Sequence, residues 1–333
     1  MTFKQYNQDI LPELHTTWEK LAISSSQADP FCCAPTWQMT FHKAFAPERR
    51  LWVKSSSNSL VAFAEHIDPS GEIILTPIES HWFFGCPILG KDGVKLFAEN
   101  ISEIERLYPH AFPKILISGV RPGGVLSRRL IKALARNFNL YLFSSGIQAA
   151  ASLKDGMDGY LSRRSRNHRK KLRKQVRQTT EMEVSYERVA PTSTEEAEAI
   201  YSRIITVERK SWKGIEKCGM AEPGAKEFYD FMIKRLAMSK NSRVIFAQHE
   251  GEDIGFIFGG LAGKIYRGQQ FSFNENWREY SIGNLLQFEK IKWLCEEGIK
   301  RYDMGPITGP KMGYKKHWTE KQAEIQTWLL IRR

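Results

Sequence analysis

The densest hydrophobic pattern lies over residues 282–295. There Ile282, Leu285, Leu286, Phe288, Ile291, Trp293, Leu294 and Cys295 supply more apolar positions than one surface stripe requires. The spacing predicts a largely buried helix, with Ser281 as its N-cap, Gly298 at its C-cap and Lys300 and Arg301 near its negative end. Upstream, Arg243–His249, Asp253–Ala262 and Lys264–Phe273 have strand composition and are joined by short hairpin signals. Helices are predicted from a cap at 192–194 to Arg209 and over Ala225–Ser239. Glu195, three residues after Thr192, gives the first of these capping-box chemistry. A strand over Met182–Arg188 precedes them, and a short strand at Tyr302 and a last one over Glu324–Ile331 follow the buried helix.

The first half mixes the same two periods. Helices are predicted over Asp9–Ala22, Thr36–Phe45, Gly93–Tyr108 and Gly124–Asn137. Strands are predicted over Leu51–Lys54, Leu60–His66, Ile73–Pro77, Trp82–Ile88, Lys114–Ser118 and Leu140–Ser144. Residues 145–160 are loosely patterned and rich in Ser, Gly and Ala, which reads as a linker. The fold class is therefore α/β with a mixed sheet, in two domains, 1–150 and 151–333. No short-period repeat is visible, and the shared rhythm of the halves allows divergent copies of one fold.

Length and composition narrow the classes. A chain of 333 residues can build two cores, and 42% apolar with 26% charged residues is a globular balance. No apolar run approaches the roughly 20 residues that cross a bilayer, and the first residues lack the apolar stretch of a signal peptide, so a cytoplasmic protein is expected. Five cysteines, Cys32, Cys33, Cys86, Cys218 and Cys295, show no metal spacing and no disulfide framework, and no metal is expected.

The net charge of +12 changes the picture more. Between Asp158 and Glu181 there are nine Lys and Arg and no acid. On a helix over 163–177, Leu161, Ser165, His168, Leu172 and Val176 form one narrow seam, and the rest is cationic. Such a surface attracts polyanions, among them nucleic acid, an anionic membrane or a phosphate-bearing substrate, although a charge run also serves simply as a solvated face. A second anion-seeking feature is the start of the buried helix. Its unpaired amides over Ser281, Gly283, Asn284 and Leu285, with Arg278 beside them, are suited to a pyrophosphate.

From about 160 to 318 the order of landmarks resembles the GNAT superfamily, more narrowly the CelD/BcsL-type acetyltransferases, which are similar to the Fem-type aminoacyl transferases. The landmarks are the basic helix, the segment 208–213, residues 254–259, 281–286 and 302–305, and the pair Tyr314 and Lys315. The resemblance implies tandem GNAT-like domains, with acyl-CoA as donor and an amine or hydroxyl as acceptor, on a small molecule or glycan precursor. It implies that Gly255, Phe256 and Ile257 hold the donor's pantetheine arm. Acyl transfer also needs a base and a polarised carbonyl. Glu208 or Asp303 is the expected base and His249 a third candidate, though Glu208 is equally suited to a surface ion pair with Lys210 or Lys213, Asp303 to anchoring loop amides, and His249 to a turn. Tyr314 can protonate the departing thiolate and Lys315 can neutralise an oxyanion or a phosphate, or the loop at 305–313 merely closes the sheet. Trp212 and Lys213 are expected at the acceptor. Two other readings remain: an aminoacyl-tRNA-dependent ligase that binds tRNA through Arg163, Arg166, Lys170 and Arg173, and a non-catalytic GNAT scaffold that binds polyanions.

Overall fold

A computed structural model describes residues 12–24, 29–307, 309 and 311–333. Residues 9–11 of the first predicted helix lie outside them, as do Thr308 and Pro310 of the 305–313 loop. The chain divides into two units, Met1–Ile147 with Ala323–Arg333, and Gln148–Gln322. Among the described residues no helix is long and apolar enough to cross a membrane.

Unit 1 begins with helices α1 (Pro12–Ser24), α2 (Pro30–Cys33) and α3 (Pro35–Phe45). Strands β1 (Leu51–Ser56), β2 (Ser59–Ile67), β3 (Ile73–Pro77) and β4 (Ile88–Gly90) follow. The strand predicted over 82–88 is replaced by a turn with a specific cause. The buried Glu79 carboxylate accepts the backbone N–H groups of His81 at 2.8 Å, Trp82 at 2.6 Å and Phe84 at 3.1 Å, so these amides are not free for a ladder. The helix predicted over 93–108 breaks at Asn100 into α4 (Gly93–Glu99) and α5 (Ile101–Leu107). Strand β5 (Lys114–Val120), helix α6 (Val125–Leu134) and strand β6 (Phe138–Ser152) complete this part. β6 runs through the first half of the segment read as a linker, to Ser152, and α7 begins within its second half. Small residues gave that segment no period, but the end of β6 is hydrogen-bonded to a strand far along the sequence.

Unit 2 continues with α7 (Gly156–Ser162), α8 (Arg166–Glu181), β7 (Ser185–Val189), α9 (Thr194–Arg209), α10 (Trp212–Ile215) and α11 (Ala225–Met238). The cap of α9 is Ser193, which accepts from the Glu196 amide, while Glu196 reaches back to the Thr192 amide. The capping box is therefore one residue later than predicted. Strands β8 (Ser242–His249), β9 (Glu252–Ala262) and β10 (Ile265–Phe273) form an antiparallel meander. Helix α12 (Ile282–Glu296) crosses over to β11 (Arg301–Pro306), which runs parallel to β10. The strand order in this unit is the end of β6, then β11, β10, β9, β8 and β7. The last strand, β12 (Lys321–Arg332), does not finish the second domain as expected. It returns to unit 1 and pairs with β5 in the order β1, β2, β3, β5, β12, β6.

The two units repeat one topology. In each, three antiparallel strands lead through a helical crossover to a strand parallel to the third: β1–β2–β3 then β5, and β8–β9–β10 then β11. In unit 2, α12 covers one face of the sheet, where Ile282 and Leu286 pack with Ile257, Phe271 and Phe273. α9 and α11 cover the other.

Candidate active site

The parallel pair in unit 2 opens like a V. β10 and β11 are paired only from Ile265/Arg301 to Arg267/Asp303, although both strands continue. Bulges displace the register after Gly268 on β10 and after Asp303 on β11. Past that point the β11-facing groups of β10 have no ladder partner in β11, and the two strands part. Gly305, at φ +75°, allows the opening, because a Cβ there would collide with the Arg267 guanidinium.

At the end of β11 lies a buried amine. Lys315 sits on the short 3-10 turn Gly313–His317, is 6% exposed and donates to the Pro306 carbonyl at 2.7 Å. Burial, with the nearby Arg267 cation, lowers its pKa to about 7. Its neighbour Tyr314 packs edge-on against Phe271 of β10 at 5.5 Å, and burial pushes its phenol pKa up.

Next to Tyr314 is a cavity of about 260 Å³, walled by α8, by Asn284 near the start of α12, and by Tyr314, His317 and Trp318. From α8, Ser165, His168, Lys171, Leu172 and Gln175 face it. Ser165 is the N-cap of that helix and accepts from the His168 amide. The His168 ring meets Trp318 edge-on at 4.9 Å and lies parallel to His317 at 6.3 Å. Burial, then His317, Arg164 and Lys171, hold its imidazole below the usual histidine range. Its Nε2 is buried with no hydrogen-bond partner, as is Oε1 of Gln175, a residue only 6% exposed.

An acetyltransferase (GNAT) domain profile matches residues 166–316. Unit 2 carries a GNAT acetyltransferase domain. Solved structures extend the likeness in fold over nearly the whole chain. A conserved protein of unknown function from Bacteroides thetaiotaomicron superposes with a TM-score of 0.67 at 11% identity, covering 97% of this chain and 98% of that one. FemX gives 0.67 at 10% identity over 94% and 95%, and L-PGS from Bacillus licheniformis 0.58 at 11% over 97% and 92%. No protein of curated function matches the chain in sequence.

Within the GNAT domain the sequence-selected residues fall into several groups. Gly255, Phe256 and Ile257, expected to hold the donor arm, lie on β9, whose backbone is paired to β8 on one side and β10 on the other. A strand used on both edges has no backbone amides left for a ligand. Around the start of α12, Ser281 occupies the cap position at φ +60° without a side-chain cap, and its carbonyl takes the amides of Asn284 and Leu285. The Cα face of Gly283 is turned inward, where a Cβ would lie 3.0 Å from Phe271 and 3.1 Å from Phe273. Arg278 is exposed and bonded to Glu275.

Glu208 is fully buried at the end of α9, not at the surface. Its Oε1 accepts from the Met220 amide at 2.9 Å and lies 3.7 Å from the Lys213 ammonium. Lys213 in turn donates to Gln270 of β10, which donates to Tyr229. Burial lowers the Lys213 pKa, opposed by Glu208. Trp212 lies under the Lys311 ammonium at 3.7 Å. Asp303, on β11, pairs with Arg301 at 2.7 Å. Both carboxylates expected as bases are thus held by cations. Arg163 binds Asp155 and the Ser152 carbonyl, and Arg166 is exposed on α8. His249 packs against Trp277 with the rings tilted by 59° and their centroids 4.8 Å apart.

The sequence reading missed Arg267, His168, Gln175 and His317. Arg267 carried a usable signal, a lone cation inside an apolar strand run. His168 and Gln175 carried none, because their orphaned atoms arise from packing against α12 and the 313–318 turn.

Proposed function

We propose that unit 2 is an acyltransferase that moves an acyl group from acyl-CoA to an amine, with the reacting centre in the β10/β11 cleft at Lys315. The observation that carries this reading is the buried Lys315 amine, whose pKa of about 7 suits proton transfer at neutral pH. The donor's arm lies along the unpaired edge of β10, and its thioester carbonyl stands near Arg267, whose charge favours the developing oxyanion. The acceptor nitrogen attacks that carbonyl, the C–N bond forms, and neutral Lys315 takes the proton from nitrogen. The C–S bond then breaks, and the leaving thiolate takes a proton from the Tyr314 phenol, which recovers one from the Lys315 ammonium, so the proton removed from the acceptor nitrogen ends on sulfur and both side chains return to their starting states.

The test is release of free CoA from acetyl-CoA in the presence of a panel of amines. The wild type is expected to turn over with a rate that rises through about pH 7, as Lys315 loses its proton. Lys315→Met is expected to lose at least about 100-fold in kcat, the usual contribution of a positioned base. Equal turnover in the two proteins, or none in the wild type, contradicts the reading.

One observation favours a second donor. Arg166, Lys170 and Arg173 on α8 are exposed and have no acidic partner among the described residues. A polyanionic donor such as an aminoacyl-tRNA would use this face. In that case affinity for tRNA falls steeply with salt and Arg166→Ala flattens the slope. Salt-independent binding removes this alternative.

A further inference from the structure

The cavity beside α8 has a chemistry that the acyl-transfer step does not use. None of its lining residues is acidic, while Lys171 and His168 approach from α8 and His317 from the 313–318 turn. Its inner surface is Leu172, Trp318 and the Tyr314 ring, a wall suited to an apolar or aromatic group. Such a site repels a protonated amine and attracts an anion joined to an organic body. Around the start of α12 the provisions for an anion are reduced. Gly283 turns its open face to Phe271 and Phe273, the Asn284 and Leu285 amides are bonded to Ser281, and Arg278 is held by Glu275 in solvent.

We infer that the phosphate of a phosphorylated donor binds in this cavity, between Lys171, His168 and His317, rather than at the amides of 281–284. This rests on the acyltransfer reading only for the word donor. The phosphate site itself stands on the cavity. Lys171 supplies a permanent charge, and the two imidazoles supply N–H donors and, when protonated, further charge. The groups that face His168 are Lys171 on its own helix, Arg164 from the link before that helix, and His317 and Tyr314 from the turn, while α12 presents only the neutral Asn284. Arg164 is tied to Glu320. Bound phosphate adds negative charge to a set that is otherwise cationic, so it raises the imidazole pKa. Affinity must therefore tighten as pH falls and His168 takes up its proton.

The experiment follows the histidine ring resonances of the whole chain by NMR during separate titrations with inorganic pyrophosphate, adenosine 3′,5′-bisphosphate, CoA and pantetheine. The His168 signal is assigned by His168→Gln. The three phosphorylated probes are expected to move His168 and to raise its titration midpoint, and pantetheine is expected to leave it unmoved. By calorimetry Lys171→Ala should weaken CoA binding at least tenfold and Arg278→Ala less than twofold, with His168→Gln reducing the pH dependence of affinity. A folded wild type whose His168 ignores all three phosphorylated probes overturns the inference, as does loss of affinity in Arg278→Ala alone. A His168 response in a protein that transfers no acyl group upholds the phosphate site and removes the acyltransfer reading. A response to pyrophosphate without one to CoA upholds the site with a different phosphorylated donor.

Discussion

Lys315 is the residue whose chemistry and stability are most tightly linked. Its pKa falls from 10.5 in the unfolded chain to about 7 in the fold. Between those values the unfolded state binds the extra proton, so stability rises with pH over about 7 to 10 and the full penalty applies below 7. At about 1.4 kcal/mol per unit, the penalty is roughly 4 to 5 kcal/mol at low pH. Lys315→Met should remove that slope and make the protein more stable than the wild type at pH 6, measured as ΔG of urea unfolding across pH. Matching slopes in the two proteins would mean the amine is solvated. Glu79 is the opposite case, a buried carboxylate that organises backbone. It collects the amides of residues 81–84 and the Trp37 indole N–H at 3.4 Å. Glu79→Ala leaves those donors without an acceptor and should cost about 3 to 5 kcal/mol by the same unfolding measurement. A loss below 1 kcal/mol would show that water replaces the carboxylate.

At the scale of elements, the opening between β10 and β11 depends on close approach at Gly305. Gly305→Ala places a methyl against the Arg267 guanidinium at a left-handed φ, and should cost about 2 kcal/mol. It should also disturb the cation beside Lys315, so turnover falls with stability. Unchanged unfolding and turnover together would mean that Arg267 has room to move. How much of this was legible in the sequence follows from where each signal resides. α12 was readable because its burial is all-round, and Gly298 at φ +68° ends it, with the Ile299 amide bonded to the Leu294 carbonyl at 2.9 Å. The three-strand meander was readable from local turn chemistry. β6 was readable only over Leu140–Ser144; its continuation to Ser152 was not, since there Ser, Gly and Ala hold it by backbone pairing with β11 rather than by side-chain pattern. The turn on Glu79 and the orphaned atoms of His168 and Gln175 likewise depend on contacts between distant segments. Of the site, the pair Tyr314 and Lys315 was legible as chemistry, but the environment that lowers the Lys315 pKa was not. Arg267 lies nearly fifty residues away in sequence.

For the whole molecule, one topology appears twice, and the differences fall on the crossover loops. In unit 2 the segment after the third strand is α12, which crosses to β11, and Lys315 lies on the turn that follows β11. In unit 1 the corresponding segment after β3 is the turn closed on the Glu79 carboxylate, so its amides are already used. The proposed acyl transfer is placed in unit 2, which carries the match to the acetyltransferase domain. The most direct measurement is a crystal structure of the full chain with a non-hydrolysable acetyl-CoA analogue. The account predicts the thioester mimic in the cleft beyond Arg267 and Asp303, its arm along the edge of β10 and its carbonyl within hydrogen-bond reach of Lys315. An analogue bound elsewhere, or a cleft filled by side chains with Lys315 still held on the Pro306 carbonyl, would contradict it.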